Sequence, residues 1–368
     1  MGRGWRIVIT SRNDHVKWMA SPYLHLYEHV ILNPHTGRGI AAEDPNYRGI
    51  RQLILSGEKL LDLDDNQRRL ADEGWLILED MDLSNRYRIR WVSLEAHSVC
   101  NQRCFFCPVS VAPREPYFMP TELYERIVAE ITDLQEPIEA VSMIQYNEPT
   151  VDRRFVNQVR CLLDAGLPPA VFSNGAGLTP QRTDALVEMG GLHYLSINLS
   201  TLDRDQYRKD RGRDHLERVL VNLDYAKDKP VAREMVLTVL NDDRKSLDRE
   251  MLKVARRFKG SRFKVQDWIV NDRAGNIGVG MGSKDGKLCG CDYMGSRPIE
   301  HVHITAAGRV VLCCQDYEER WVAGDLNTNS LEKILKSPEF ARLRRLAYGL
   351  EPAPDRFLCS GCQYALRR

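Results

Sequence analysis

Between residues 89 and 275, six short apolar runs alternate with amphipathic segments: "WVSLEA", "IEAVSMIQ", "PAVFS", "LHYLSINLS", "REMVLTVL" and "FKVQDWIV". Runs of this length read as buried strands. The segments between them are long enough for crossover helices, so the order predicts a parallel sheet of βαβ units and an α/β fold. The first crossover shows the helical period, with Leu123, Ile127, Val128, Ile131 and Leu134 on one face.

Two further regions flank this unit. Residues 1–88 carry apolar runs at 6–10 and 29–32, the turn signal "NPHTGRG", and two helical stretches. The first of these follows Asp44-Pro45 and closes at Ser56-Gly57; the second runs from Asp64 or Asp65 to Gly74, ahead of "WLIL". This order describes a small α+β, winged-helix-like module. In residues 276–368 the chain turns loop-rich, with an expected hairpin "HVHITAAGRVVLCC" folding at Ala306-Ala307-Gly308 and one expected helix, "SLEKILKSPEFARLRRLA".

The 368 residues carry 52 basic and 51 acidic side chains, and this balance gives no field that would recruit nucleic acid or an anionic membrane. The amino terminus lacks a signal-peptide pattern and no segment reaches the ~18 apolar residues of a membrane span, so the expectation is a cytoplasmic protein. Ten cysteines in such a setting point to metal or redox chemistry before disulfides.

Three of them, Cys100, Cys104 and Cys107, stand in "EAHSVCNQRCFFCPVS", directly behind the first apolar run. A C-x3-C-x2-C loop can wrap three thiolates around one face of a cubane iron-sulfur cluster and leave one iron open. The spacing alone also admits zinc, completed by His97 or a distant cysteine. The second set, Cys291, Cys313, Cys359 and Cys362, offers four ligands and ends in a CxxC. It is open to a closed iron-sulfur cluster or to a zinc ribbon.

The cysteine loop, with Phe106 between its last two cysteines, resembles the C-x3-C-x-aromatic-C signature of the radical S-adenosylmethionine (SAM) superfamily, and the likeness extends over most of the chain from residue 89. The resemblance implies a partial (β/α)6 barrel. It implies that Cys100, Cys104 and Cys107 hold a [4Fe-4S] cluster whose open iron chelates the amino and carboxylate groups of SAM, with Phe106 near the adenine. In "QYNEPT", Tyr146 and Asn147 replace the two glycines of the family's Gly-Gly-Glu-Pro turn, and Glu148 is retained as acceptor for the methionine ammonium. "FSNG", "INLST" and "DRGRDH" bring Ser173, Asn198, Ser200 and Arg211 as candidates for the ribose and methionine carboxylate, at strand ends where a parallel barrel has its mouth.

The tail resembles the SPASM/twitch extension of the same superfamily, in the twitch form with one auxiliary [4Fe-4S] cluster, because the chain stops six residues after Cys362. Cys289 stands as an alternative to Cys291, and Cys314 to Cys313. The family pattern favours Cys291 and Cys313 through Gly290 and Gly308. Cys161 lies on an apolar helical stripe and reads as packing. Cys314 beside the site is also a possible hydrogen donor, and Arg273 in "NDRAGNIG" a substrate contact or part of a connector.

With this equipment the resemblance implies reductive cleavage of SAM to a 5′-deoxyadenosyl radical that abstracts hydrogen from a substrate, fed by a donor such as flavodoxin or ferredoxin. The module at 1–88 resembles the PqqD-like fold that captures a leader peptide as an added strand, which implies a ribosomally made precursor peptide as substrate. A structural cap is the other reading of the module. The alternatives to a peptide-modifying enzyme are a small-molecule enzyme resembling the aminocyclitol dehydrogenases, and a zinc-stabilised scaffold without chemistry.

Overall fold

The computed structural model describes residues 16–368; the apolar run at 6–10 lies outside the described residues. The amino-terminal module contains β1 (Trp18–Ala20), β2 (His25–Leu26), β3 (Val30–Asn33), β4 (Arg38–Ala41), α1 (Tyr47–Ser56), α2 (Asp65–Asp72) and β5 (Leu76–Leu78). Strands β2, β3 and β4 form an antiparallel sheet, and β1 pairs with β5. Trp18, Leu24, Ile31, Tyr47, Ile50 and Trp75 bury together as a core separate from that of the barrel. Asp64 and Gln67 make a reciprocal capping box at the start of α2, worth about 1 kcal/mol. Asp44 behaves differently from its expected role. Its carboxylate closes a turn onto the Asn46 N–H at 2.8 Å, and the helix begins one residue later without a side-chain cap.

All six expected barrel strands are present: β6 (Trp91–Leu94), β7 (Ala140–Ser142), β8 (Pro169–Ser173), β9 (Leu192–Asn198), β10 (Ala232–Asn241) and β11 (Phe263–Ile269). They pair in chain order and all in parallel. Between them run α3 (Thr121–Thr132), α4 (Phe155–Asp164), α5 (Pro180–Glu188), α6 (Arg204–Arg211), α7 (Leu216–Ala226) and α8 (Arg244–Arg257). Leu123, Ile127, Val128 and Ile131 of α3 join Val92, Val141, Val171, Leu195 and Leu237 of the strands in one core.

The carboxy-terminal region adds β12 (Leu288–Cys291), α9 (Arg297–Glu300), β13 (His301–Ile304), β14 (Arg309–Val311), β15 (Val322–Asp325), α10 (Leu331–Leu335), α11 (Pro338–Ala347) and β16 (Ala365–Arg367). β13 lies parallel to β6, with His301 opposite Trp91, and β14 and β15 follow antiparallel, so one sheet of nine strands results. An open barrel leaves β6 as an edge, and β13 satisfies its exposed backbone groups. The β13–β14 hairpin turns at Gly308 (φ 82°) as the sequence predicts. The single expected helix is in fact two. Pro338 has no N–H to continue α10, and Ser337 Oγ accepts the Phe340 N–H at 3.1 Å to start α11 afresh. Among the described residues no helix is long and apolar enough to cross a membrane.

Candidate active site and metal centres

The loop after β6 delivers Cys100, Cys104 and Cys107, and the ends of β7, β8 and β9 deliver the polar residues that face it. Burial pushes the Cys100 thiol up to about 12, helped by the nearby Glu148 carboxylate and by Cys104 and Cys107; burial likewise pushes Cys107 up to about 11. Thiols raised in this way ionise only against a cation, which is the condition for a metal or cluster ligand set. His97, the alternative ligand, accepts the Val99 N–H at Nδ1 and stacks on Phe118.

The Glu148 carboxylate accepts four hydrogen bonds at the mouth. Its Oε1 accepts from Thr150 Oγ1 (2.6 Å), Ser173 Oγ (2.7 Å) and the Thr150 N–H (3.1 Å), and its Oε2 accepts from the Asn174 N–H (2.7 Å). Burial raises its pKa, and these hydrogen bonds lower it in part. Oε1 is saturated; Oε2 keeps an acceptor position. Gly177 makes the arrangement possible, because a Cβ there would stand 2.3 Å from Thr150 Oγ1. The Ser173 hydroxyl proton is thus directed to Glu148.

The Tyr146 backbone and the Asn147 side chain also bond within the protein, while the Tyr146 hydroxyl is enclosed without a partner. The Tyr146 N–H donates to Glu95 Oε1 at 3.0 Å, and its ring meets Tyr317 edge-on at 4.8 Å. The Asn147 side chain closes its own turn onto the Gln145 N–H and the Met143 carbonyl. Glu95 is fully buried, paired with Arg114 at 2.5 Å, and it also accepts the Ala306 N–H, so this ion pair ties the barrel mouth to the hairpin.

Arg211, at the end of α6, is 1% exposed. Its Nη2 donates to Ser200 Oγ (2.6 Å), the Asn198 carbonyl (2.9 Å) and Asn198 Oδ1 (3.2 Å), while Nη1 lies 3.7 Å from Cys104 Sγ. Its guanidinium sits over the Phe106 ring at 4.9 Å. Ser200 holds φ 60°, a left-handed conformation that turns its hydroxyl toward this arginine. Phe106 packs with Cys104, Leu240 and Val270 as a small apolar cluster. Sequence reasoning missed Asn174 and Gln102, whose Nε2 donates to Tyr207 Oη at 2.8 Å and whose Oε1 receives the Cys104 thiol at 3.5 Å.

Cys291, Cys313, Cys359 and Cys362 converge: all four line one cavity with Arg297, Leu312, Gln315 and Leu358. Burial raises the Cys291, Cys359 and Cys362 thiols, the last to about 12, and Cys313 is raised by its hydrogen bond with Cys314 and by burial. Arg367 donates to the carbonyls of Cys359 and Ser360 and so fixes the CxxC turn. Cys289 does not reach this cavity and lines another with Tyr27, Arg51 and Arg368. Residues two apart on a strand normally share a face, but the register shifts between Leu288 and Gly290, and Gly290 takes φ 137°. Cys314 stands with Cys313 and His303, their ligand atoms within 4.8 Å of one another, and Cys161 packs against the main core.

A parallel partial barrel with a three-cysteine loop at its mouth and a second, four-cysteine cavity behind it defines a class of iron-sulfur enzyme. Family comparison agrees: residues 94–254 match the radical SAM superfamily and residues 285–363 match SPASM, an iron-sulfur cluster-binding domain. The chain is a radical SAM enzyme with a carboxy-terminal SPASM domain, and these domains imply SAM and iron-sulfur clusters as cofactors. This removes the zinc-scaffold reading.

Among curated proteins, an uncharacterised protein of Methanocaldococcus jannaschii is 28% identical over 135 residues, covering 36% of this chain and 42% of its own length. The S-adenosyl-L-methionine-dependent 2-deoxy-scyllo-inosamine dehydrogenase of Niallia circulans is 22% identical over 277 residues, 74% of this chain and 91% of that protein. Among solved structures, Streptococcus suis SuiB bound to its precursor peptide SuiA shares the fold, with TM-score 0.57, 13% identity, and 89% and 90% of the two chains covered.

Proposed function

We propose that this enzyme modifies a peptide, by hydrogen abstraction followed by oxidation, crosslinking, epimerisation or excision, and that it carries two [4Fe-4S] clusters. Cys100, Cys104 and Cys107 hold the cluster with an open iron, and Cys291, Cys313, Cys359 and Cys362 hold the auxiliary one. With the first cluster reduced and SAM bound, the cofactors supply a 5′-deoxyadenosyl radical. The chain's own residues orient and shield. Glu148 Oε2 accepts the methionine ammonium in a buried site, where a charge-assisted hydrogen bond is strongest. Arg211, held by Ser200 and Asn198, receives the methionine carboxylate, and the apolar wall of Phe106, Leu240 and Val270 excludes water beside the adenine. Four cysteines around the second cavity leave no open iron, which suits electron transfer. A low-potential donor such as flavodoxin or ferredoxin, in a reducing cytoplasm, fits this equipment.

The amino-terminal module carries the peptide reading. Residues 89–368 are 76% of the chain (280 of 368), so a fold match over 89% to SuiB includes part of the module. Among the described residues β4 of the module pairs on one side only, and Arg38, Gly39 and Ala41 are exposed, an edge to which an extended peptide can add. The module docks on the SPASM region through His25 Nε2 and Tyr348 Oη at 2.8 Å. The match to the aminocyclitol dehydrogenase over 277 residues, close to the 280 of barrel and tail, favours a second reading: alcohol oxidation on a sugar-like small molecule.

The test is turnover by the reconstituted, reduced enzyme with SAM on short peptides encoded beside its gene and, separately, on 2-deoxy-scyllo-inosamine. A mass change in a peptide supports the first reading. Loss of two hydrogens from the aminocyclitol, with every peptide untouched, supports the second and removes the first.

A further inference from the structure

The geometry points to Arg273 as the residue that receives a carboxylate of the substrate, in the space between the two cysteine sets. The inference rests on the reading above for where the reacting atoms lie. Arg273 follows β11 at the barrel mouth and holds φ 55°, with Ala274 at 57°, a conformation that costs a non-glycine residue about 1–3 kcal/mol. Its surroundings enforce it. Asn271 Oδ1 accepts the Arg273 N–H at 3.0 Å, and Asn276 Nδ2 donates both to the Arg273 carbonyl at 2.5 Å and to the Gln315 carbonyl at 2.9 Å. The loop is thereby tied to the segment that follows Cys313.

The strained turn puts the guanidinium within electrostatic reach of Cys107 of the first cysteine set, Cys314 beside the second, Tyr146 and Tyr293. Its Nε is enclosed and bonded to nothing, and among the described residues no carboxylate pairs with it. Other buried or part-buried arginines also leave one nitrogen unpartnered, Arg114 and Arg211 at Nε and Arg344 at Nη2, but each spends its remaining nitrogens on the protein. Arg344 donates to the carbonyls of Pro298, Ser84 and Leu335; Arg114 pairs with Glu95; Arg211 holds Ser200 and Asn198. Arg297, which shares Cys314 and Tyr293 as neighbours, donates from Nε to the Tyr293 carbonyl and stacks on that ring at 4.2 Å. Arg273 is part-buried with its Nε enclosed, so leaving it without a carboxylate partner is costly, and its planar fork matches a carboxylate through two parallel hydrogen bonds. Arg211 already serves the Cys104 side, where the SAM carboxylate is assigned. Arg273 lies on the Cys107 side and is free for the substrate.

The test uses the reconstituted, SAM-loaded full chain and calorimetric titration with four probes: N-acetyl-Gly-Glu-Gly-amide, its Gln counterpart, glucuronate and glucose. The Glu peptide is expected to bind about tenfold or more tightly than the Gln peptide, and Arg273→Gln to erase that preference with SAM affinity and iron content unchanged. Arg273→Lys, which keeps a point charge without the fork, retains part of the preference and serves if the Gln variant fails to fold. A drop in SAM affinity in either variant, or a charge preference that survives Arg273→Gln, overturns the assignment. Arg273-dependent preference for glucuronate over glucose with no peptide binding supports the carboxylate site while removing the peptide reading.

Discussion

Arg211 Nη1 lies 3.7 Å from Cys104 Sγ, joining the end of α6 to the cysteine loop while its Nη2 holds Ser200 and Asn198 at the end of β9. Lysine cannot span these three partners from one head group. Arg211→Lys is therefore expected to keep its iron and to bind SAM about tenfold or more weakly, read by calorimetry on the reconstituted protein. Unchanged affinity contradicts the assignment.

Glu148 gives a pH dependence with a definite sign. Burial raises its carboxyl, so the neutral form, which is a poor acceptor for an ammonium, persists above the ordinary carboxylate value of about 4.3. SAM affinity is full above the raised value and falls as pH drops through it. The SAM-free protein shows the opposite trend: a raised carboxyl stabilises the fold below the unfolded value, and that stability is lost as pH rises through the folded one. Glu148→Gln should flatten both curves. A wild-type SAM affinity that holds constant down to the ordinary range would count against the role.

The Glu95–Arg114 pair joins the barrel mouth to the hairpin after β13, with Glu95 fully buried. Removing one partner of such a pair strands the other charge. Arg114→Met is expected to destabilise the protein by about 3–5 kcal/mol in denaturant unfolding, whereas Arg244→Met, in an exposed pair with Asp267, should leave the unfolding transition close to that of the wild type.

The bulge at Gly290 sorts Cys291 from Cys289. Cys291→Ala should lose about four irons per chain on anaerobic reconstitution, and Cys289→Ala none. Equal losses in the two variants would mean that the second ligand set is wrongly drawn.

Much of this was readable from residue order. Six apolar runs separated by crossover-length segments specify six parallel strands, and the Cys100–Cys107 spacing brings three cysteines into one loop behind the first. The Cys359/Cys362 turn and Cys291 meet in one cavity as their pattern suggests. Other features depend on long-range packing that spacing does not carry. β13 completes the barrel edge only because β6 exposes one, and Arg211 looks like a surface residue in "DRGRDH" until α6 folds it against Cys104. Ser173 ends a strand as a ligand contact would, yet its hydroxyl meets Glu148, 25 residues earlier in the chain. The break before Pro338 was legible and was outweighed by an apolar period that runs through it. Arg273 stood in the sequence with no signal beyond its loop; what singles it out is the absence of a partner, which only coordinates reveal.

The most direct test of the central claim is the amount of 5′-deoxyadenosine released from SAM by the anaerobically reconstituted, dithionite-reduced enzyme. The wild type should release it and Cys104→Ala should release none, while the variant still binds the irons of its auxiliary site. Release by Cys104→Ala at the wild-type rate, or none from a wild type carrying about eight irons per chain, would contradict the account.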